Sequence, residues 1–80
     1  MQFKVKAYIN LKKSVLDPQG KAIELTLHNM GYKEVMEVRQ GKLIEFTLAA
    51  ENKDKASIIA KEICEKLLAN LIIEQFTIDI

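Results

Sequence analysis

Residues 16–23 read LDPQGKAI, and this short stretch decides how the first half of the chain folds. A glycine beside a lysine can cradle a phosphate, but the stretch lacks the spaced glycines of a phosphate-binding loop, and the Asp17 carboxylate would repel an anion. Asp17 and Pro18 are instead typical of a helix start, because Asp accepts hydrogen bonds from the free amides of the first turn and Pro suits the first helical position. The pattern predicts a helix from about Pro18 to Met30, ended by Gly31.

The segments on either side of this helix have strand patterns. Residues 3–9 alternate apolar and polar side chains, which predicts a strand with one buried face. After the helix, residues 35–39 and 43–49 are predicted as the second and third strands. Gln40 and Gly41 would join them in a hairpin turn, because glycine supplies the positive φ that a tight turn needs.

The sequence leaves the register of this hairpin open. A two-residue loop sets Val38 opposite Leu43. A three-residue loop sets Val38 opposite Ile44 and Met36 opposite Phe46.

The second half of the chain predicts one more helix and one more strand. The helix runs from about Asp54 to Ala69, with Asn70 as its C-terminal cap, and the strand from Ile72 to Ile80. The resulting order, β-α-β-β-α-β, is the pattern of ferredoxin-like folds. We therefore expect one α+β domain over residues 1–80, with both helices on one face of a four-stranded antiparallel sheet.

Composition narrows the class of protein. With one Cys and one His among 80 residues, the chain forms no intramolecular disulfide and offers no ligand cluster for a structural zinc. The net charge of +1 is unlike the basic excess of nucleic-acid binders, and no apolar run approaches the ~20 residues that cross a bilayer. The chain also begins without a signal-peptide core. We expect a cytoplasmic protein that contacts neither nucleic acid nor membrane.

The side chains that could carry chemistry have simpler interpretations. His28 has no partner at a spacing that suggests a proton relay, and is interpreted as a surface or boundary residue. Cys64 follows Ile63 on the apolar side of the second helix, where a lone cysteine behaves as a small buried hydrophobe. The sequence therefore predicts no catalytic residue in this chain and favours a binding or assembly role.

The predicted sheet carries apolar residues on the face that the helices leave open. Tyr8, Leu43 and Ile73 lie on that face, while Glu74 interrupts the apolar face of the last strand. Burial against a partner, or pairing of an exposed edge strand, would explain both this pattern and the small core. We expect a homo-oligomer.

Three segments of the chain resemble one known family. They read VLDPQGKAIELTLHNMGY (15–32), VMEVRQGKLIEF (35–46) and EICEKLLANLIIEQFTI (62–78). In this order and spacing they resemble the PurS family, the small accessory subunits of phosphoribosylformylglycinamidine (FGAM) synthase, and they cover nearly the whole chain. One departure is Leu71, which stands where the family commonly has a proline. Leucine restores an N–H at the entry to the last strand but gives up the fixed φ of proline.

The resemblance implies a non-catalytic subunit of a ligase complex in purine biosynthesis. In that complex a glutaminase subunit releases ammonia, and a large subunit uses ATP and magnesium to form the amidine. The small subunit forms dimers or tetramers, bridges the other two and supports ammonia transfer, with no cofactor of its own. The residues of this chain that become candidates for subunit contacts lie at the helix start and at the predicted hairpin: Asp17, Gln19, Gly20, Lys21, Arg39, Gln40, Gly41 and Lys42.

Two alternatives stay open from the sequence. Small βαββαβ domains often pair and bind ligands between protomers, so one alternative is a dimeric module that senses a small molecule. The other is a stand-alone enzyme, which the lack of a nucleophile or base pair disfavours.

Overall fold

The computed structural model describes residues 1–80 and contains three strands and two α-helices. Their bounds in chain order are β1 (Gln2–Leu11), α1 (Pro18–Asn29), β2 (Gly41–Ala49), α2 (Lys53–Ile63) and β3 (Glu74–Asp79), with a π-helical segment (Cys64–Leu68) directly after α2. The predicted α+β class and the antiparallel sheet are confirmed. Neither helix has the length and apolar character needed to span a membrane.

The sheet has the order β2-β1-β3, with β1 antiparallel to both neighbours. The alternation in β1 buries Val5, Ala7 and Ile9, each at most 1% exposed, against Ile44 and Phe76 of the neighbouring strands. The side chains between them face solvent. The period-two pattern thus produces the buried face that the sequence predicts.

Helix α2 covers this buried face with small side chains. Ala56 and Ala60 of α2, and Cys64 directly after it, are fully buried, which lets the helix backbone approach the strands closely. The predicted helix to Ala69 is wrong in one respect, because the last turn widens into the π-helical segment, where the Ala69 N–H donates to the Cys64 carbonyl. Asn70 has no left-handed backbone and begins the turn into β3 instead of capping the helix.

Helix α1 begins and ends as predicted. The Asp17 side chain accepts the Gly20 N–H at the N-cap, and Pro18 occupies the first helical position. The last helical residue is Asn29, and Gly31 has a φ of +100° just beyond it. Only a residue without Cβ adopts that conformation at little cost.

The prediction of a second strand at 35–39 is wrong for this chain. Residues 35–40 form neither a turn nor a bend, the backbone of Glu37 has a left-handed φ of +56°, and the segment pairs with no strand, so the sheet has three strands instead of four. The hairpin at Gln40 and Gly41 is also absent. Gly41 lacks the positive φ of a tight turn and instead continues straight into β2, opposite Asn10 of β1.

The position of α1 differs from the prediction as well. Helix α2 contacts all three strands, whereas α1 makes no extensive contact with the sheet. The molecule is consequently elongated, 51 × 24 × 14 Å, and its radius of gyration of 16.2 Å exceeds the about 12 Å typical of a compact chain of this length. We call residues 12–40 the arm, and residues 1–11 and 41–80 the body.

Candidate subunit-interaction site

The two segments that the sequence singled out separately meet in the structure. The Asp17 carboxylate joins them, because one oxygen accepts the Gly20 N–H at 3.0 Å and the other accepts the Gln40 N–H at 2.7 Å. Asp17 is 4% exposed, and none of its buried polar atoms lacks a partner. One side chain therefore caps α1 and also fixes the end of the segment that enters β2.

Gly20 is required by this junction. A Cβ at position 20 would lie 2.3 Å from the Val38 carbonyl oxygen and 3.0 Å from the Arg39 Cα. Backbone atoms cannot move aside as the end of a flexible side chain can. Glycine therefore allows the first turn of α1 to contact residues 38 and 39 directly.

Arg39 and Gln40 complete the junction with their side chains. The Arg39 guanidinium donates to the carbonyl oxygens of Lys12 and Val15 at 3.0 and 2.9 Å, which fastens the loop before α1. The Gln40 amide donates to the Gln19 amide oxygen at 2.9 Å. Because carbonyl oxygens receive the Arg39 donors, this arginine is a structural clamp in the chain.

Two further α1 side chains, missed as contacts by the sequence analysis, hold the same extended segment. Glu24 accepts the Val38 N–H at 3.1 Å, and His28 Nε2 donates to the Val35 carbonyl at 2.7 Å. Glu24 and His28 are one helical turn apart and share a face of α1, but the sequence offers no signal that an unpaired segment would run along that face.

These contacts set the protonation of two carboxylates. The pKa of Asp17 is lowered from its ordinary value of 3.8, mainly by the N–H groups of Gln40 and Gly20, with a smaller contribution from the Arg39 charge. The pKa of Glu24 is lowered from 4.5, mainly by the Val38 N–H and further by the Lys21 charge. Both groups are therefore ionised at neutral pH, as charge-assisted hydrogen bonds require.

An open groove of about 680 Å³ lies beside this junction. It is bounded by the loop before α1, the first turns of α1 and residues 36–39. Leu16 and Met36 line it and are 74% and 76% exposed. Lys21, paired with Glu24 at 3.6 Å, lies at the same groove with its side chain 62% exposed. The groove thus combines free apolar surface with a rigid polar border.

The remaining two predicted residues lie on the body. Gly41 packs against β1, where a Cβ would be 2.8 Å from the Ile9 carbonyl oxygen. Lys42 pairs across the sheet with Glu74 at 3.6 Å. Glu74 also accepts the Asn70 N–H at 2.7 Å, which accounts for a carboxylate on the apolar face of β3.

The single thiol lies in the core of the body. Cys64 is fully buried, and burial, with a smaller effect of the Glu65 charge, raises its pKa above 9.0. A thiol with a raised pKa is a poor nucleophile at neutral pH. This agrees with the interpretation of Cys64 as a buried hydrophobe.

Comparison with known proteins identifies the family. Residues 4–80 match the family model PurS, described as phosphoribosylformylglycinamidine (FGAM) synthase. The chain is 49% identical over 78 residues to the PurS subunit of FGAM synthase from Bacillus subtilis, covering 98% of this chain and 92% of that protein. It is 37% identical over 78 residues to the PurS subunit of Methanocaldococcus jannaschii, covering 98% and 94% of the two chains.

Solved structures give the same result. Bacillus subtilis PurS superimposes with a TM-score of 0.84 at 49% identity, covering 99% of this chain and 96% of that one. A chain in the structure of PurLQS from Thermotoga maritima superimposes with a TM-score of 0.91 at 35% identity, covering 99% and 96%. The overall shape of this chain is therefore shared with experimental structures. The chain belongs to the PurS family.

Proposed function

We propose that this chain is the small, non-catalytic subunit of an FGAM synthase complex in the cytoplasm. In this role it bridges a glutaminase subunit and a large ATP-dependent subunit. The observation that carries the proposal is the match to a chain of the Thermotoga maritima PurLQS structure over 99% of the present chain.

The proposed complex divides the chemistry between subunits. The glutaminase subunit releases ammonia from glutamine. The large subunit, with ATP and magnesium, activates the amide of formylglycinamide ribonucleotide, and ammonia converts it into the amidine. Ammonia that escapes between the two sites is lost to the reaction. The small subunit helps to hold the path closed to water, which requires rigid, shaped surfaces and no catalytic group.

The internal contacts of the chain suit such a role. Asp17, Glu24 and Arg39 direct their charges to backbone groups of the arm, and the Cys64 thiol is buried. These side chains are occupied in shaping the surface. The groove beside them presents Leu16, Lys21 and Met36 to a larger subunit, and we propose it as the docking surface.

Self-association is part of the same proposal. Only nine of 80 residues are buried in the single chain, and Ile23 and Leu25 of α1 and Met30 just after it are 41%, 55% and 65% exposed. A chain with so small a core typically gains stability from a partner. A second copy of the chain supplies that partner, and the assembly is a dimer or a tetramer.

Reconstitution of the complex tests the proposal. We expect the matching large and glutaminase subunits to form amidine from glutamine and ATP only when this chain is present. Turnover supported by free ammonia should persist in its absence. The ratio of glutamine-dependent to ammonia-dependent rate therefore reports coupling separately from the chemistry of the large subunit.

The opposite result would contradict the bridging role. If the two larger subunits couple glutamine hydrolysis to amidine formation equally well without this chain, the family likeness describes the fold alone. Calorimetry with amino acids and nucleotides would then test the alternative of a ligand-sensing module.

A further inference from the structure

The sheet face opposite the one that α2 covers carries a cavity of about 530 Å³, a volume typical of small-molecule sites. Arg39 lies at one end of it. Two rows of side chains cross the sheet there, with Leu43, Tyr8 and Thr77 in one row and Gly41, Asn10 and Gln75 in the next. All six residues are exposed in the single chain. We call this cavity the sheet pocket.

The polar side chains of the sheet pocket have no partner within the chain. Asn10, Gln75 and Thr77 take part in none of its side-chain hydrogen bonds. Asn10 and Gln75 lie opposite each other on β1 and β3, so their amide groups reach the same space. Each amide offers a donor and an acceptor. The pocket therefore holds free hydrogen-bonding groups side by side.

Gly41 keeps one of these amides accessible. A Cβ at position 41 would lie 3.1 Å from the Asn10 Cβ, so a side chain there would crowd the Asn10 amide. The open space above Asn10 thus depends on glycine at the neighbouring position of β2.

Arg39 supplies a positive charge that is already held in place. A single nitrogen of its guanidinium, Nη2, donates to both carbonyl oxygens that fasten the side chain, those of Lys12 and Val15. The guanidinium carries further N–H groups on Nε and Nη1, and these have no partner in the chain. A guanidinium with free N–H groups binds phosphate or carboxylate oxygens through charge-assisted hydrogen bonds.

The charges around the sheet pocket favour an anionic ligand. No carboxylate lines it, and its two cations are Arg39 and Lys42. Lys42 is paired with Glu74 at 3.6 Å, which leaves Arg39 as the charge available to a ligand.

Tyr8 and Leu43 form an apolar platform in the neighbouring row. They are cross-strand partners and are 44% and 49% exposed. An exposed tyrosine ring binds flat aromatic groups by stacking. Residues two apart along a strand are separated by about 7 Å, so a ring that stacks on Tyr8 has its edge near the amides of Asn10 and Gln75.

We propose that the sheet pocket binds an adenine nucleoside monophosphate. The base stacks on Tyr8, the amides of Asn10 and Gln75 bind its edge, and Arg39 binds the phosphate. An Asn or Gln amide matches the adjacent donor and acceptor of adenine, whereas guanine presents two acceptors at the same edge. The site is a property of the chain alone, so the proposal does not rest on the proposed complex.

Calorimetry of the full chain with AMP and its fragments tests the ligand. We expect saturable binding of AMP at millimolar concentration. Adenosine, which lacks the phosphate, and ribose 5-phosphate, which lacks the base, should each bind at least tenfold more weakly, because each leaves one end of the pocket empty. GMP should bind at least threefold more weakly, because its two acceptors do not match the donor and acceptor of an amide.

The two tyrosines of the chain give a matched pair of variants that tests the location. Tyr8→Ala should weaken AMP binding at least tenfold, because it removes the stacking surface. Tyr32→Ala, in the arm at 50% exposure, should leave the affinity unchanged.

Two glutamines on the open face repeat the comparison with variants that disturb β1 less. Gln75→Ala should weaken AMP binding at least threefold, because one hydrogen-bonding group is lost. Gln2→Ala alters the same face outside the sheet pocket and should have no effect. Circular dichroism of all four variants verifies that they are folded.

Several results would overturn the proposal. Failure of AMP to saturate the full chain would exclude the site. Equal affinity for AMP and ribose 5-phosphate would leave a general anion site, equal affinity for AMP and adenosine would exclude the contact with Arg39, and equal affinity for GMP would exclude the recognition of adenine. Equal losses of affinity in Tyr8→Ala and Tyr32→Ala, or in Gln75→Ala and Gln2→Ala, would place the bound nucleotide outside the sheet pocket.

Discussion

The body and the arm are stabilised by different interactions. The body buries apolar side chains between sheet and helix, among them Val5, Ile9 and Cys64. The arm buries only Asp17 and Gly20, and is held by carboxylate, imidazole and guanidinium hydrogen bonds to backbone groups. Hydrophobic packing stabilises the body with little dependence on pH, whereas the arm depends on charge and on direction. The difference suggests that the body provides stability and the arm provides a shaped surface for partners.

The largest expected effect is the difference in stability loss between truncating an apolar side chain in the body and truncating one in the arm. Ile9→Ala in the body should lower the free energy of unfolding by about 3 kcal/mol, because it removes packed atoms and leaves a cavity. Leu25→Ala in the arm, at 55% exposure, should change it by less than about 0.5 kcal/mol. Urea denaturation of both variants measures the difference. Equal losses would mean that α1 packs on a core in solution, and the distinction between arm and body would be wrong.

A smaller effect is expected from adding a side chain at Gly20, where α1 contacts residues 38 and 39 directly. Gly20→Val forces a Cβ against the Val38 carbonyl oxygen and should lower stability by about 2 kcal/mol while separating α1 from residues 38–40. Gly31→Ala is the matched control, because its Cβ meets no atom within 4 Å and the cost arises only from the positive φ. Amide hydrogen exchange at Val38 and Gln40 should accelerate in the first variant and not in the second. Unchanged exchange in Gly20→Val would contradict the close approach.

The smallest effect is the pH dependence of the arm. The folded pKa of Asp17 lies below 3.8, so the unfolded state binds a proton more readily than the folded state as the pH falls. The stability that Asp17 contributes is therefore complete above about pH 4–5 and is lost as the pH falls through the folded pKa. Glu24 acts in the same direction from its ordinary value of 4.5.

Amide resonances can follow this loss residue by residue. On acidification below pH 4, the Gly20 and Gln40 signals should change before those of Val5 in the body. Asp17→Asn, which keeps the shape but not the charge, should remove the acid transition at these two amides. The same transition in Asp17→Asn would show that another group causes it.

Much of the fold follows from local sequence patterns. The alternation in residues 3–9 predicts β1, and Asp17, Pro18 and Gly31 predict both ends of α1. The start of α1 and the segment before β2, both singled out from the sequence, contain the residues of the junction. In these cases the signal resides in a few neighbouring residues, so a local interpretation suffices.

The remainder depends on distant contacts that no local pattern contains. Gln40 and Gly41 suit a hairpin equally well, but Asp17, Glu24 and His28 hold the preceding segment along α1 and so keep it from pairing with β2. The detached position of α1 has the same origin. For the candidate site, the sequence identifies Asp17 and Gln40 but not the hydrogen bond between them. The Asp17 carboxylate accepts the backbone N–H of Gln40, and because every residue except proline has such a group, the sequence does not indicate which one is bound.

The most direct test of the arm as the docking surface compares two exposed apolar residues in the reconstituted complex. Leu16→Asp alters the groove of the arm, and Ile58→Asp alters the exposed side of α2 in the body; the two side chains are 74% and 59% exposed. We predict that Leu16→Asp lowers glutamine-dependent amidine formation at least tenfold and leaves the ammonia-dependent rate unchanged, while Ile58→Asp changes neither. Equal coupling in both variants, or a loss with Ile58→Asp alone, would contradict the account.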